Sequence, residues 1–287
     1  MKSHTYSHLI ILICTVIGAS TIVVGEPLLK GLPAFFLLGI RFLFASCILA
    51  VVFPKKLFPV DKAAIIPGIV TAIGFGFGCA LLYIALPHLR PGKIAFLISL
   101  EVLTVPLILW IINRTKPTKS ELISIAPAVI GLWFLTGEKG LPSWYDFLAL
   151  LSAVAYSIYT ISLSHYSNKA SVLQRSWITF SAIGVAASMI SIFTEDLIAI
   201  SWDTNMVVGV IYLTLIGSVL RFILQGYGQK FVSASFTALM FTAEPVFTIG
   251  LSYYFLNEQF SKMQTIGACL ILGALIFTNF KLADTST

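Results

Sequence analysis

The chain is a succession of apolar segments, and most of them are long enough to cross a lipid bilayer. The hydrocarbon core of a bilayer is about 30 Å thick, which an α-helix of about 20 residues spans. Turn-forming runs such as Pro87 to Pro91 separate the segments. The predicted spans, numbered first to tenth, are residues 8–25, 33–53, 63–86, 92–113, 120–137, 145–164, 173–193, 206–227, 234–256 and 263–281. This pattern predicts an all-α integral membrane protein.

The amino-acid composition excludes an ordinary soluble domain. Hydrophobic residues make up 58% of the chain and charged residues 10%, whereas soluble domains are about 25% charged. The formal net charge of +6 would suggest a nucleic-acid partner in a soluble protein, but membrane topology explains it better. We therefore expect the lipid bilayer as a partner and no nucleic acid.

The distribution of Lys and Arg predicts the orientation in the membrane, because cytoplasmic connections carry an excess of both. With the N-terminus inside, eleven lie on the cytoplasmic side and five outside. The cytoplasmic set is Lys2, Lys55, Lys56, Lys62, Arg114, Lys116, Lys119, Lys169, Arg175, Lys230 and Lys281, and the outer set is Lys30, Arg90, Lys93, Lys139 and Lys262. Both termini are predicted to be cytoplasmic, in a plasma membrane such as the bacterial inner membrane.

Glu101 and Glu244 lie near the centres of the fourth and ninth spans, 143 residues apart. A charged residue at mid-bilayer costs about 2.5–3.5 kcal/mol on insertion scales, so two at equivalent positions indicate a common reason. The same offset aligns Ala95 with Ala238, Ser99 with Thr242 and Trp110 with Tyr253. The alignment indicates a duplicated chain.

The ten predicted spans divide into five per half. Because an odd number of crossings reverses the direction of the chain, the second five-helix repeat is predicted to be inverted relative to the first. The repeats are residues 1–140 and 141–287, within one membrane domain. Inverted repeats are typical of secondary transporters, which bind their substrate near the bilayer midplane where the halves meet.

The most specific motif lies in the ninth span and just after it. It consists of Glu244-Pro245-Val246-Phe247-Thr248, then Asn257-Glu258, Gln264 and Gly267-Ala268. With these residues, and with Pro33 and Arg41 in the second span, the chain resembles the EamA-type members of the drug/metabolite transporter superfamily. The resemblance implies ten helices in two five-helix repeats. It covers nearly the whole chain in layout and is sharp over about residues 235–275.

Polar residues of the ninth span share one helical face. They are Thr237, Phe241, Glu244, Thr248 and Ser252, at offsets that bring them into line. This face predicts the wall of a substrate cavity, although a hydrogen-bonded seam between helices would have the same pattern. Glu244 is a candidate for a proton or cation coupling site, a ligand of a substrate ammonium group, or a structural partner of an arginine.

Arg41 and Arg221 lie inside the second and eighth spans, where each needs a carboxylate, carbonyl groups or water. They either pair structurally with the two glutamates or bind a substrate carboxylate. The case for Arg221 is stronger, because Ser218 and Gln225 lie on its face. We expect Glu244 to bind the solute or a proton, and Glu101 to hold an arginine.

Two prolines are candidates for helix breaks beside the glutamates. Pro245 follows Glu244 directly, and Pro106 lies just over a turn beyond Glu101. A proline removes one backbone hydrogen bond and tends to kink a helix, which frees a carbonyl group. Both spans are therefore predicted to be hinged or kinked near the midplane.

The third span carries small and aromatic residues whose placement is also predictable. Gly74 and Gly78 predict close packing against a neighbouring helix. Phe75 and Phe77 beside them are candidates to line a cavity, although lipid contact is the default expectation in a chain with 22 phenylalanines. Tyr83 and Tyr227 end the third and eighth spans, as substrate contacts or as anchors at the membrane interface, and the second role is favoured.

These features predict a secondary transporter of a small organic metabolite that works by alternating access. An amino acid or similar zwitterion, moved by export and with proton coupling, is the leading expectation. The alternatives are a broad-specificity drug/metabolite or nucleotide-derivative transporter, an uncoupled facilitator, a lipid flippase and an intramembrane enzyme. No paired His/Asp, HExxH or Ser/Lys pattern supports an enzyme, and no cofactor or metal is expected. A homodimer is compatible with the sequence.

Overall fold

Every regular element in the described part of the chain is a helix. The computed structural model describes residues 2–114, 143–198 and 200–256, together with residues 130, 134, 262–263, 266–267 and 269–270. Within these residues there is no β-strand, which agrees with the predicted all-α class.

The second to fourth spans agree with their predicted limits within a few residues, whereas the first begins six residues earlier and ends six residues later than predicted. Their helices are Lys2–Gly31, Ala34–Val52, Lys62–Ala85 with a 3₁₀ turn at Leu86–His88, and the pair Pro91–Ser99 and Glu101–Asn113. A short helix, Pro54–Leu57, connects the second span to the third. The fourth span is thus two helices rather than one.

The sixth to ninth spans also form as predicted. Their helices are Trp144–His165, Val172–Thr194, the series Thr204–Tyr212, Leu213–Leu220 and Arg221–Gly228, and the pair Ala234–Phe241 and Glu244–Leu256. The middle part of the eighth span is a π-helix. Like the fourth span, the ninth is interrupted.

Eight described helical segments are long and apolar enough to cross a membrane, and they correspond to the first to fourth and sixth to ninth spans. The fifth and tenth predicted spans, residues 120–137 and 263–281, lie outside the described residues apart from single positions. The chain is therefore a multi-pass membrane protein, and the count of ten spans and the inversion of the repeats stay predictions.

Side chains before the first turn fix where several helices begin. Asp61 accepts a hydrogen bond from the Ala63 N–H (2.9 Å) and Asp203 from the Met206 N–H (2.7 Å). Ser143 and Asp146 form a reciprocal capping box at the start of the sixth span. These bonds satisfy amide groups that have no partner within their own helix.

Close helix contacts depend on small residues, as predicted for the third span. The second span packs mainly against the seventh, and the third against the sixth. A side chain at Gly74 would lie 2.8 Å from the Tyr159 nitrogen, and one at Gly78 would lie 3.0 Å from the Tyr156 ring. Glycine therefore sets the distance between the third and sixth spans.

Candidate functional site

The fourth and ninth spans are interrupted at the two glutamates. The helix of the fourth span ends at Ser99 and resumes at Glu101, and that of the ninth ends at Phe241 and resumes at Glu244. Each glutamate is thus the first residue of the second helix. The glutamate side chains are buried, with 3% exposure at position 101 and 6% at position 244. The equivalence seen in the sequence is therefore also present in the local structure.

Pro245 is the second residue of the helix that resumes at Glu244, directly after the interruption of the ninth span. Its missing N–H would have bonded to the carbonyl oxygen of Phe241, four residues earlier. That oxygen lies 3.2 Å from the hydroxyl of Ser99 in the fourth span, a hydroxyl that also lies 2.7 Å from the Ala95 carbonyl oxygen. The two interruptions therefore contact each other.

The prediction that Pro106 marks the break in the fourth span is wrong. Pro106 lies inside the helix Glu101–Asn113, and the interruption comes before Glu101. There the Leu100 N–H bonds to the carbonyl oxygen three residues earlier, Leu97 (3.3 Å), which tightens the turn and ends the helix.

A small cavity of about 40 Å³ lies where seven of the described spans meet. All four charged residues predicted for the site line it. The lining residues are Thr21, Ile22, Arg41, Phe75, Cys79, Leu82, Tyr83, Leu86, Ile98, Glu101, Tyr156, Tyr159, Thr160, Arg221, Phe241 and Glu244. The cavity combines opposite charges, hydroxyl groups and aromatic rings.

Arg221 pairs with Glu244 across this cavity. The distance from Nη2 of Arg221 to Oε2 of Glu244 is 3.8 Å, and the guanidinium carbon lies 5.7 Å from the centre of the Phe241 ring. Gly18 of the first span makes room for the pair, because a Cβ there would lie 2.6 Å from Oε1 of Glu244. Of the three roles predicted for Glu244, the pairing with an arginine is the one present in this structure.

Glu101 has no arginine partner, so the prediction that it holds one is wrong. Its Oε1 atom is buried and has no hydrogen-bond partner, and the same is true of the Thr160 hydroxyl. No ion pair involves Glu101 among the residues that the structure describes. The reason is that Arg221, opposite Gly18, reaches the glutamate of the ninth span instead.

Arg41 is held by neutral groups. Its Nε donates to the Ser218 hydroxyl at 2.7 Å and its Nη1 to the Tyr83 hydroxyl at 2.5 Å. No carboxylate forms an ion pair with it within the described ranges. Ser218 does not line the cavity, but it positions Arg41.

Most of the remaining predicted residues have structural partners, whereas the buried Ser252 hydroxyl has none among the described residues. Thr237 and Thr248 donate to carbonyl oxygens four residues earlier in their own chain, at 3.0 and 2.8 Å. Gln225 accepts from the Tyr159 hydroxyl at 3.1 Å and donates to Gln229 at 3.1 Å. The polar face of the ninth span therefore faces the cavity only at Phe241 and Glu244.

Several cavity residues were not predicted from the sequence. Phe75, expected to contact lipid, lines the cavity, and Tyr83 is buried rather than an interface anchor. Tyr156, Tyr159 and Thr160 of the sixth span were not singled out. Aromatic and hydroxyl side chains are common throughout this chain, so periodicity alone cannot tell which of them face inward.

The described residues contain no group of three or more His, Cys, Asp or Glu side chains that could hold a metal ion. The lining of the cavity presents charged groups, hydroxyl groups and aromatic surfaces. Such a lining can bind and orient a polar solute.

Comparison with known proteins gives a family match over both halves of the chain. A model of the EamA-like transporter family matches residues 5–137 and again residues 143–280. An uncharacterized transporter of Archaeoglobus fulgidus is 25% identical over 277 residues, 96% of this chain and 86% of its own. The uncharacterized transporter YetK of Bacillus subtilis is 24% identical over 281 residues, 92% of this chain and 84% of its own. Protein PecM of Dickeya dadantii is 24% identical over 218 residues, 71% of this chain and 70% of its own.

The helical arrangement is similar to that of a solved crystal structure. The two chains superpose with a TM-score of 0.78 at 17% sequence identity, and the match covers 98% of each. At this level of identity the likeness concerns the fold and not the transported solute.

Proposed function

This chain belongs to the EamA-like transporter family, and from that premise we propose that it moves a small zwitterionic metabolite across the membrane by alternating access. An amino acid is the simplest solute of this class. Export across the plasma membrane is the proposed direction. The chain acts as a carrier and not as an enzyme.

The observation that carries the proposal is the charge pairing in the cavity. Arg221 and Glu244 compensate each other at 3.8 Å, whereas Arg41 and Glu101 have no partner of opposite charge among the described residues. A buried charge without compensation is costly and marks a site of function in a membrane. A solute with one carboxylate and one ammonium group compensates both at once.

The hydrogen-bonding needs of the two residues agree with this assignment. Oε1 of Glu101 is buried with no donor, and an ammonium group supplies up to three donors. Arg41 uses Nε and Nη1 for hydroxyl groups, and its Nη2 is directed past Gly217, where a Cβ would lie 3.1 Å from it. An incoming carboxylate therefore has a guanidinium nitrogen available.

The volume of the cavity supports alternating access rather than a fixed pore. A cavity of about 40 Å³ holds about three water molecules, at roughly 10–15 Å³ each on this measure. An amino acid is larger than that, so the spans must separate for it to enter. The interruptions beside Glu101 and Glu244 are places where such movement can occur without breaking a continuous helix.

Glu101 is the proposed coupling residue if transport depends on protons. Once protonated it would no longer attract an ammonium group, so binding of a proton and of the solute would exclude each other. Concentrative uptake driven by an imposed pH gradient into liposomes without internal solute supports this coupling, and counterflow without such concentrative uptake identifies an uncoupled facilitator.

Solute counterflow in liposomes tests the function. Purified protein in liposomes loaded with one amino acid is expected to accumulate the labelled form from outside, and a panel of amino acids identifies the solute. Two analogues of the transported amino acid are then tested as competitors of its uptake. One is the carboxylic acid that lacks the ammonium group, and the other is the amine that lacks the carboxylate. Glu101→Gln should weaken the binding of the zwitterion and of the amine by about 10- to 100-fold, because a hydrogen bond to a charged group contributes about 1.5–3 kcal/mol.

Arg41→Gln should weaken the binding of the zwitterion and of the carboxylic acid, and should leave the binding of the amine unchanged. Glu26→Gln is the matched control, since Glu26 pairs with Lys30 of its own helix at 2.5 Å and does not line the cavity. If all three compounds compete in both cavity variants as well as they do in the wild type, Glu101 and Arg41 do not bind the solute. Absence of counterflow with every amino acid would refute the substrate class.

A further inference from the structure

Arg175 is buried although it lies only four residues into the seventh span. Charge counting places it among the cytoplasmic surface residues, but its side chain is 1% exposed. Its Nη1 is 3.5 Å from the Leu163 carbonyl oxygen, and its Nε and Nη2 atoms have no hydrogen-bond partner. No carboxylate pairs with it within the described ranges.

This placement is energetically unfavourable for a structural residue. An arginine keeps its charge at physiological pH, and an ion buried without a partner costs several kcal/mol. An arginine near the end of a membrane helix usually extends its long side chain to the interface instead. The inward direction of Arg175 therefore needs a ligand to explain it.

The guanidinium group lies between the sixth, seventh and eighth spans. A Cβ at Gly226 of the eighth span would lie 3.1 Å from Nη2 of Arg175, and Leu163 belongs to the sixth span. The side chain therefore crosses from its own helix to both neighbours, at the end of the bundle predicted to be cytoplasmic.

A chain of polar side chains connects this region with the central cavity. Tyr159, in the cavity wall, donates to Gln225, which donates to Gln229. Gln229 in turn donates to the Ser164 hydroxyl at 3.0 Å and to the Thr160 carbonyl at 3.1 Å. Gln225 and Gln229 are buried. Buried amide side chains in membrane helices either join neighbouring helices or line a route or a site.

We infer that Arg175 is a second anion-binding site, which receives the carboxylate of an organic solute on its way between the cytoplasm and Arg41. The inference rests on the proposed function, because it takes the solute to carry a carboxylate. The glutamine pair offers the solute amide donors and acceptors along the same route. In the structure described here the spans are packed together over this route.

Charge-selective labelling tests the inference without knowledge of the solute. The four native cysteines are replaced by alanine, and Ser164→Cys is introduced as the single reactive thiol. Inside-out vesicles are then treated with one of two methanethiosulfonate reagents, an anionic one with a sulfonate group or a cationic one with a trimethylammonium group. We expect the anionic reagent to react faster, relative to its rate with a free thiol. Arg175→Gln should lower the ratio of the two rates about tenfold, because loss of the positive charge slows the anionic reagent and speeds the cationic one.

Lys169→Gln is the matched control, because it removes an exposed cation from the same end of the bundle, where solvent and salt screen it. It should leave the ratio unchanged. An equal ratio with and without Arg175, or no reaction of Ser164→Cys with either reagent, would overturn the inference. Failure of amino-acid counterflow alone would not, since the labelling uses no transported solute.

Thermal stability separates this site from a structural role. Arg175→Met is expected to melt at the same or a higher temperature than the wild type, because an unpaired buried charge is replaced by an apolar side chain of similar length. A clear loss of stability in this variant would show that Arg175 holds the three spans together, and would contradict the inference.

Discussion

Single glycines decide how close the charged side chains of the cavity can approach the first and eighth spans. Gly18 faces the ion pair of Arg221 and Glu244, and Gly217 faces Nη2 of Arg41. Neither needs an unusual backbone conformation, since neither has a positive φ. Gly18 lies in an α-helix and Gly217 in the π-helical segment of the eighth span. Glycine is required at both positions because it leaves space for a side chain that is distant in the sequence.

Replacement of Gly18 by alanine should therefore be disruptive although alanine favours helices. The new Cβ would lie 2.6 Å from Oε1 of Glu244 and 2.8 Å from Nη2 of Arg221, so the ends of both side chains must shift from their paired positions. We expect a lower melting temperature and a loss of counterflow. Gly25→Ala in the same helix meets only Leu86 at 3.4 Å and should be neutral or stabilising by up to about 1 kcal/mol. Equal behaviour of the two variants would contradict this account.

At the scale of elements, three of the described spans depart from a regular α-helix in their middle part, and each departure lies beside a cavity residue or its hydrogen-bond partner. The fourth and ninth spans are interrupted beside their glutamates. The eighth span has a π-helical segment, in which the Ser218 hydroxyl donates to the Leu213 carbonyl five residues earlier and accepts from Arg41. Such irregular segments often occur at functional sites.

Pro245→Ala should restore an N–H group that competes with Ser99 for the Phe241 carbonyl. The expected result is a straighter ninth span, a melting temperature at least equal to that of the wild type, and counterflow reduced several-fold. Pro106→Ala is the control, because this proline lies inside a helix and away from the interruption. If both proline variants transport alike, the interruption at Glu244 does not contribute to transport.

At the scale of the whole molecule, ion pairs between spans are expected to hold one conformation of the transporter. Lys93 and Asp146 are 2.8 Å apart and join the start of the fourth span to the start of the sixth, at the predicted outer ends. Alternating access requires contacts of this kind to break when the cavity opens to that side.

Lys93→Gln should therefore favour opening toward the outside. Native Cys79 lines the cavity and is buried, so in a background without the other three cysteines its labelling reports this opening. We expect an impermeant thiol reagent added outside to label Cys79 several times faster in Lys93→Gln. Lys30→Gln breaks a pair within one helix and should not change the rate. An unchanged rate in Lys93→Gln would show that this pair does not limit access.

The sequence alone predicted the eight described spans and the correspondence of the two glutamate-containing segments. Hydrophobicity is a local property, so these spans follow from short windows of residues. Only the tertiary structure decided the partners. Arg221 reaches Glu244 because Gly18 lies opposite, and Glu101, Arg41 and Arg175 lack an opposite charge among the described residues. Such pairings depend on how separate helices rotate and pack, which no single helix encodes.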